Sequence, residues 1–251
     1  MTRQAYAKLN LALSVGPPIA EGLPGAGLHP IASWMVPIAL TDAVTVEPRA
    51  DGSGIELHRS WADEAPLPRP MRWGDEQDLA VRALRRLGAA AGRELGARVV
   101  VEKRIPFGGG LGGGSSDAAV CLLAANAAFG LGRSVADLAE LGAMLGSDVP
   151  FFLDEPLLDR DGPPRAALVT GTGDRVERIE TRPAPLLLIL PPFGCATAEV
   201  FDAFAPPARR ASPGHHRTRR TPRPSRSRTA AGSAAAAPAG SRSARPDRPC
   251  P

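Results

Sequence analysis

The sequence predicts an α+β fold, in which strands and helices form separate layers. Segments with the alternation or β-branched content of strands are numerous, while helical periodicity is confined to three segments after residue 76. Strands and helices also do not alternate strictly along the chain, which argues against a regular α/β sheet. The 251 residues are enough for one large domain or two small ones.

The first part of the chain is predicted to consist mainly of strands. Residues 5–15 alternate in polarity, which places Lys8 and Asn10 on one face of a strand and the leucines at 9, 11 and 13 on the other. A loop rich in glycine and proline follows. Further strands are predicted over residues 34–40, 43–47 and 54–58, and a proline-bearing connection over 63–74.

Helices are predicted in the middle of the chain. Periodic apolar residues indicate a helix over 77–87, and an alanine-rich run indicates a buried helix over 118–129. Ser134 and Asp137 form a cap-like start for a third helix that ends near Leu145. The strands predicted around these helices cover residues 98–105, 167–169, 175–179 and 186–190.

Residues 108–114 contain six glycines in seven positions, between a predicted strand and a predicted helix. Each glycine would cost roughly 0.5–1 kcal/mol relative to alanine in a regular element, so the run is a loop. Glycines let a backbone approach a ligand closely, and the start of a helix favours an anion, so a phosphate-binding loop is predicted. A flexible linker is the alternative interpretation. Ser115, Ser116 and Asp117 follow the glycines at the helix start, where short polar side chains cap free N–H groups.

The glycine run carries no specific signal for a common nucleotide motif. No lysine follows it, so it is not a P-loop. Gly108, Gly110 and Gly113 satisfy the dinucleotide pattern Gly-x-Gly-x-x-Gly, but any run this rich in glycine would do so.

Composition limits the cellular location and the binding partners that are expected for this chain. No stretch of about 18 apolar residues is present, so no membrane partner is expected. The N-terminus lacks the apolar core of a signal peptide. The three widely spaced cysteines fit neither a disulfide framework nor a zinc site, so no metal ligands are assigned and a cytoplasmic location is expected.

Residues 207–251 differ from the rest of the chain. They contain no large apolar residue and carry 11 arginines against one acid, whereas residues 1–206 carry a net charge of −6. Such a segment buries too little apolar surface to fold, so disorder is predicted. A basic arm for nucleic acid is one alternative, but aromatic side chains for base stacking are missing, so no specific nucleic-acid partner is expected. A solvated tail or a shifted reading frame is favoured.

Lysine is rare in this chain. Only Lys8 and Lys103 are lysines, against 28 arginines. Because arginine supplies almost every other positive charge, a retained lysine can indicate a need for a compact ammonium group. Lys8 is therefore a candidate functional residue, with chance retention as the alternative.

Three segments together resemble the GHMP kinases, a family of small-molecule kinases. They are Ala-Lys-Leu-Asn-Leu at 7–11, the glycine loop, and Leu-Gly-Ser-Asp-Val-Pro-Phe at 145–151. Within the family the chain most resembles kinases that act on a cytidine diphosphate-linked methylerythritol. Further similar segments lie at residues 27–30, 76–82, 171–174 and 188–201, so the resemblance covers roughly residues 5–205.

The resemblance implies a fold and a domain organisation. It predicts an N-terminal domain of the ribosomal-protein S5 domain 2 type over residues 1–153, which binds ATP. Residues 154–206 would be the remnant of a ferredoxin-like substrate domain that is incomplete here, because the likeness stops near residue 205. Residues 207–251 would be the disordered tail.

The resemblance also implies a reaction, the ATP-dependent phosphorylation of the C2 hydroxyl of 4-diphosphocytidyl-2-C-methyl-D-erythritol, with Mg²⁺. Asp148 would be the general base and Lys8 would keep it ionised, while Asn10 and His29 would bind the substrate. The small-molecule substrate would be the partner, and a monomer and a homodimer are both compatible with the sequence. The ATP phosphates would be bound by Pro106, Gly108, Gly109, Gly110, Leu111, Gly112, Gly113, Gly114, Ser115 and Ser116.

Several alternatives stay open at this stage. Asp148 can instead be a turn or cap residue, and His29 a surface residue of a loop. Leu28 and Asp78 depart from the family pattern, which has tyrosine and asparagine there. The chain can also be a non-catalytic fragment of such a kinase, or a GHMP kinase of the homoserine or mevalonate type.

Overall fold

The structure, a computed structural model, describes residues 1–50 and 54–191, and these build a mixed sheet and three helices. The strands are β1 (Thr2–Val15), β2 (Ile31–Pro48), β3 (Ile55–Trp61), β4 (Ala97–Lys103), β5 (Ala167–Gly171) and β6 (Arg175–Arg178). The helices are α1 (Leu79–Ala90), α2 (Gly113–Ala128) and α3 (Val135–Ala143). Short 3₁₀ helices lie at Asp75–Gln77, Val149–Phe152 and Glu155–Leu158. The predicted α+β class is confirmed.

Strand β2 is the centre of the six-stranded sheet. It pairs antiparallel with β1 along one edge, and with β4 and β5 along the other. Strand β6 forms an antiparallel hairpin with β5, and β3 pairs with β4 in parallel. A parallel pair needs a crossover connection, which here contains α1. Strands after residue 153 thus join the sheet that begins at the N-terminus, and the boundary at 153/154 stays a prediction.

The larger of two apolar clusters in the described residues lies between the sheet and the helices. Helix α2 is buried over most of its length, as its alanine-rich composition predicts, because small side chains allow close packing on all sides. Strand β4 alternates between buried Ala97, Val99 and Val101 and more exposed residues between them. Among the described residues, no helix is both long and apolar enough to cross a bilayer.

The predicted strands at 34–40 and 43–47 are one continuous strand. Thr41 and Asp42, which lie between them, keep pairing with Tyr6 and Ala5 of β1. Asp42 is fully buried, and aspartate is ordinarily rare in strands. Its place in β2 is explained by the buried charge partner described below.

The strand predicted over Leu186–Leu190 is wrong. Residues 181–191 contain no regular structure, and the Leu187 side chain is 89% exposed. A strand needs a hydrogen-bonded neighbour, and no described strand pairs with this segment. Leu190 instead packs against a small cluster formed by Ala7, Ile105 and Leu111. The predicted tail over 207–251 lies outside the described residues.

Candidate active site

The glycine run forms an exposed loop between β4 and α2. Gly108, Gly110 and Gly112 have φ values of 74°, 70° and 70°, the left-handed region that glycine adopts without steric cost. Gly112 is the N-cap of α2, and the helical residue Gly113 follows it. A left-handed residue next to a right-handed one turns successive N–H groups toward one concavity that suits an anion.

Apolar anchors hold both ends of this loop. Phe107 packs against Trp61 and Trp73, with ring centroids 5.6 and 5.2 Å apart. Leu111, at the far end, is buried, and its carbonyl accepts a 2.9 Å hydrogen bond from the backbone N–H of Lys8. The exposed apex at Gly108–Gly110 is therefore held between fixed points.

Lys8 and Asp148 come together beside this loop, although 140 residues separate them in the sequence. The Nζ of Lys8 lies 3.3 Å from Oδ2 of Asp148 and donates a 2.6 Å hydrogen bond to Oδ1 of Asn10. The Lys8 side chain is 8% exposed and the Asp148 side chain 26%. Lys8 and Asn10 share a face, as the alternation of β1 predicted. The result is a shielded ammonium next to a carboxylate that solvent still reaches.

One close backbone approach lies next to Asp148. Asp148 is the N-cap residue of the 3₁₀ helix Val149–Phe152, but its side chain makes no capping hydrogen bond there. Its role as a base therefore stays a prediction. The turn between β5 and β6 packs against the preceding residue, Ser147. A Cβ at Gly173 would lie 2.6 Å from the Ser147 carbonyl oxygen, so only glycine fits there without movement. The segment Gly171–Asp174, which is similar to the family in sequence, therefore packs against the residue before Asp148 and helps to hold Asp148 in place.

The predicted caps at the start of α2 are not formed. The N-cap is Gly112, and no side chain caps the helix, because α2 begins at Gly113 rather than after the serines. Ser115 lies close to the Asp148 loop: its Oγ is 3.8 Å from where a Cβ on Gly146 would be. Ser116 Oγ is buried without a hydrogen-bond partner in the described part of the chain.

The two predicted substrate residues differ in their surroundings. Asn10 is tied into the sheet, since its Nδ2 donates a 2.7 Å hydrogen bond to Ser33 Oγ. His29 lies in the loop between β1 and β2, with Nδ1 2.8 Å from the carbonyl oxygen of Gly16. Leu28 beside it is 54% exposed. Asn10 thus belongs to the Lys8 cluster, whereas the role of His29 stays a prediction.

The structure explains how aspartate is accommodated at position 78, where the family pattern has asparagine. Asp78 is the N-cap of α1, where its Oδ1 accepts a 3.0 Å hydrogen bond from the Ala80 N–H. Its Oδ2 accepts a 3.0 Å bond from Trp73 Nε1 and lies 3.4 Å from the guanidinium of Arg59. The extra negative charge is therefore paired.

Sequence reasoning missed a buried charge cluster below the loop. Lys103 Nζ lies 2.5 Å from a carboxylate oxygen of both Asp42 and Asp117, and all three side chains are less than 10% exposed. Burial raises the pKa of Asp117 to about 7, although the Lys103 charge opposes this shift. The same carboxylates raise the pKa of Lys103 against the effect of its own burial. One feature of the sequence could have indicated this cluster: Lys103 lies at an inward-facing position in the alternation of β4.

A family of known proteins agrees with this fold and with the position of the glycine loop. Residues 78–155, which include the glycine loop, match the family model described as the GHMP kinases N terminal domain. The described region therefore has the GHMP kinase fold, and the resemblance to this family is confirmed.

Two sequences and one crystal structure of individual kinases are similar to this chain. The chain is 41% identical over 207 residues to a 4-diphosphocytidyl-2-C-methyl-D-erythritol kinase of Pelotomaculum thermopropionicum, covering 82% of this chain and 64% of that one. It is 40% identical over 201 residues to the kinase of the same name from Chromobacterium violaceum, covering 80% and 62%. A crystal structure of 4-(cytidine 5'-diphospho)-2C-methyl-D-erythritol kinase matches with a TM-score of 0.53 and 37% identity, over 71% of this chain and 55% of that chain. The chain spans less than two thirds of the length of these relatives.

Proposed function

We propose that this chain transfers the γ-phosphoryl group of ATP to the C2 hydroxyl of 4-diphosphocytidyl-2-C-methyl-D-erythritol. The observation that carries the proposal is the Lys8–Asp148 pair at 3.3 Å, held beside the glycine loop. A phosphoryl transfer needs positioned phosphates and a group that accepts a hydroxyl proton, and these elements supply both. The names of the similar kinases supply the substrate.

The glycine loop is the proposed site of the ATP phosphates, over Pro106 and Gly108–Ser116. The left-handed turn at Gly112 and the free N–H groups at the start of α2 direct donors at an anion. The apex from Gly108 to Gly110 is exposed and carries no side chain, so the backbone can lie directly against phosphate oxygens.

Mg²⁺ is proposed to arrive with the nucleotide. No group of three or more histidine, cysteine, aspartate or glutamate side chains in the described part of the chain can hold a metal ion. Mg²⁺ usually takes most of its ligands from substrate phosphates and water. When bound, the ion neutralises the charge that develops on the phosphate oxygens.

Asp148 is proposed as the general base and Lys8 as its charge partner. The C2 hydroxyl would give its proton to the Asp148 carboxylate while its oxygen attacks the γ-phosphorus, and the bond from that phosphorus to the β–γ bridging oxygen would break to release ADP. The Lys8 ammonium lies 3.3 Å from that carboxylate and is close enough to stabilise charge on the moving phosphoryl group. Asn10 fixes the direction of the Lys8 side chain through its Oδ1.

The rest of the substrate is proposed to bind near the loop between β1 and β2. His29 would contact the cytosine, and Asn10 would help to orient the erythritol. We further propose a cytoplasmic enzyme whose ATP-binding domain spans residues 1–153, followed by part of a substrate domain over 154–206 and a tail over 207–251.

The test is ATP-dependent ADP release by the purified chain, with 4-diphosphocytidyl-2-C-methyl-D-erythritol as acceptor. We expect turnover in the unmodified protein and a loss of about 10²-fold or more in Asp148→Asn, with nucleotide affinity nearly unchanged. Asp159→Asn is the matched control, because it makes the same substitution at an exposed carboxylate. Equal turnover in Asp148→Asn would remove Asp148 from the role of base.

The acceptor profile separates the remaining possibilities. Turnover on homoserine or mevalonate, but not on the cytidyl substrate, would place the chain with another GHMP kinase. No turnover from protein that unfolds cooperatively would indicate a non-catalytic fragment. The reason to test for that outcome is that the chain spans only 64% of the Pelotomaculum relative.

A further inference from the structure

The buried cluster of Lys103, Asp42 and Asp117 connects three elements of the fold. Asp42 lies in β2, Lys103 is the last residue of β4, and Asp117 lies in the second turn of α2. The Lys103 ammonium donates a 2.5 Å hydrogen bond to Oδ2 of each carboxylate. The relative exposures of the three residues are 5%, 0% and 6%, so water does not compete for these bonds.

The same cluster holds the backbone where the glycine loop begins. The second oxygen of Asp42 accepts hydrogen bonds from the N–H of Arg104 at 2.5 Å and of Ile105 at 2.8 Å. These are the two residues that follow β4, so one carboxylate fixes the direction in which the chain enters the loop. A buried carboxylate that accepts backbone N–H groups is a strong, charge-assisted anchor.

The cluster also holds the backbone where the loop ends. Asp117 ties α2 to Lys103, four residues after the helix begins. A Cβ on Gly113 would lie 2.9 Å from the Ile105 side chain and 3.4 Å from Lys103 Nζ, so the helix start packs directly on the loop entrance. The two ends of the loop are thus joined through a single ammonium group.

We infer that Lys103, Asp42 and Asp117 are positioning residues that set the glycine loop for nucleotide binding. This inference rests on the proposed function, since it assigns the loop to the ATP phosphates. The three side chains lie beneath the loop and act through its backbone N–H groups, without contact to the nucleotide.

Stability alone is a weak reason for such a cluster. Buried ion pairs often stabilise a protein no more than well-packed apolar side chains of similar volume, because the charges lose their hydration. An apolar replacement would fill the space but would accept no hydrogen bond from Arg104 and Ile105. The cluster therefore fixes the orientation of the backbone at the entrance to the loop. Apolar side chains in its place would not fix that orientation.

The experiment compares four proteins by hydrogen exchange and by binding of a non-hydrolysable ATP analogue with Mg²⁺. They are the unmodified chain, Lys103→Met, Lys103→Met/Asp117→Asn, and Asn126→Ala. The double variant removes the ammonium and one carboxylate together, so at pH 8, above the pKa of Asp117 of about 7, the buried charge stays at −1 as in the parent. Asn126→Ala is the matched control, because it deletes a buried polar side chain at the other end of α2 that bonds to Arg133.

We expect amide exchange over residues 104–112 to accelerate about tenfold or more in both Lys103 variants. We also expect affinity for the ATP analogue to fall about tenfold, while KM for the acceptor stays within twofold. Asn126→Ala should accelerate exchange near residues 126–133 and leave the loop and the nucleotide affinity unchanged.

Other outcomes overturn the inference. A folded Lys103 variant with unchanged loop exchange would do so, as would faster exchange without loss of affinity. Unfolding of both variants would show that the cluster builds the fold rather than positions the loop. If the unmodified chain binds no nucleotide, the proposed function fails, and loop exchange alone then decides whether the cluster positions the loop.

Discussion

Replacement of Gly112 by alanine is expected to have two effects at once: it destabilises the protein, and it displaces the Lys8 side chain. Gly112 has φ of 70° and ψ of 17°, a left-handed conformation that costs a residue with a Cβ roughly 1–2 kcal/mol. The new Cβ would lie 3.0 Å from Cγ of Lys8 and 3.0 Å from the Phe152 ring, which is buried. Overpacking of this kind costs about 1–3 kcal/mol more.

The two effects together predict a loss of about 2–5 kcal/mol in the free energy of unfolding. For a folded unit of this size, such a loss lowers the Tm by about 5–15 °C. The assay is thermal unfolding followed by circular dichroism at neutral pH, with turnover measured well below the Tm. Because the contact is with the stem of Lys8, turnover should fall further than the fraction of unfolded protein explains.

Gly130→Ala is the matched control for this prediction. Gly130 follows the other end of α2 with φ of 60°, and a Cβ there would meet nothing within 4 Å. It therefore has the backbone cost without the contacts, about 1–2 kcal/mol. Equal Tm losses in the two variants would refute the argument that Lys8 and Phe152 pack against Gly112.

Three further predictions concern the titration, capping and reactivity of single side chains. Because the pKa of Asp117 is raised from 3.8 to about 7 in the folded protein, the folded state binds the extra proton, so the contribution of Asp117 to the free energy of unfolding should fall as the pH rises from 4 to 7 and then level off. Urea unfolding of the parent and of Asp117→Asn at several pH values checks this; a difference in stability between the two proteins that does not fall with pH over this window would contradict it. Ser134→Ala should cost about 0.5–2 kcal/mol in urea unfolding, because it breaks the capping box with Asp137; an unchanged midpoint would show that the box contributes nothing. Cys121 should resist iodoacetamide in the native protein at pH 8, since it is buried and its pKa is raised to about 12; mass spectrometry showing its alkylation before unfolding would contradict this.

Most of the regular elements followed from local sequence patterns. The capping box at Ser134 was predicted from four residues and is present as predicted. The buried helix α2 was predicted from its alanine content, although its start was placed five residues too late, because glycines at 113 and 114 are poor helix formers. The strand predicted over Leu186–Leu190 failed because apolar composition indicates burial only when a neighbouring strand is available.

The candidate site was predictable in part. Lys8, Asn10 and Asp148 were singled out from short motifs, and the structure brings their side chains together. The cap interpretation for Ser115 was wrong, because α2 begins at Gly113 and capping depends on the residue at which a helix begins. Asp148 does lie at the N-cap of a 3₁₀ helix, but without a side-chain capping bond.

The sequence by itself determined which local elements form and which loop can approach an anion, because glycine content, alternation and caps act within a few residues. Only the tertiary structure decided which distant charges meet. Lys103 and Asp42 are separated by 61 residues, yet they form one buried pair because β2 and β4 are neighbours in the sheet. No local pattern records such a pairing, since its free energy arises only when folding removes both charges from water.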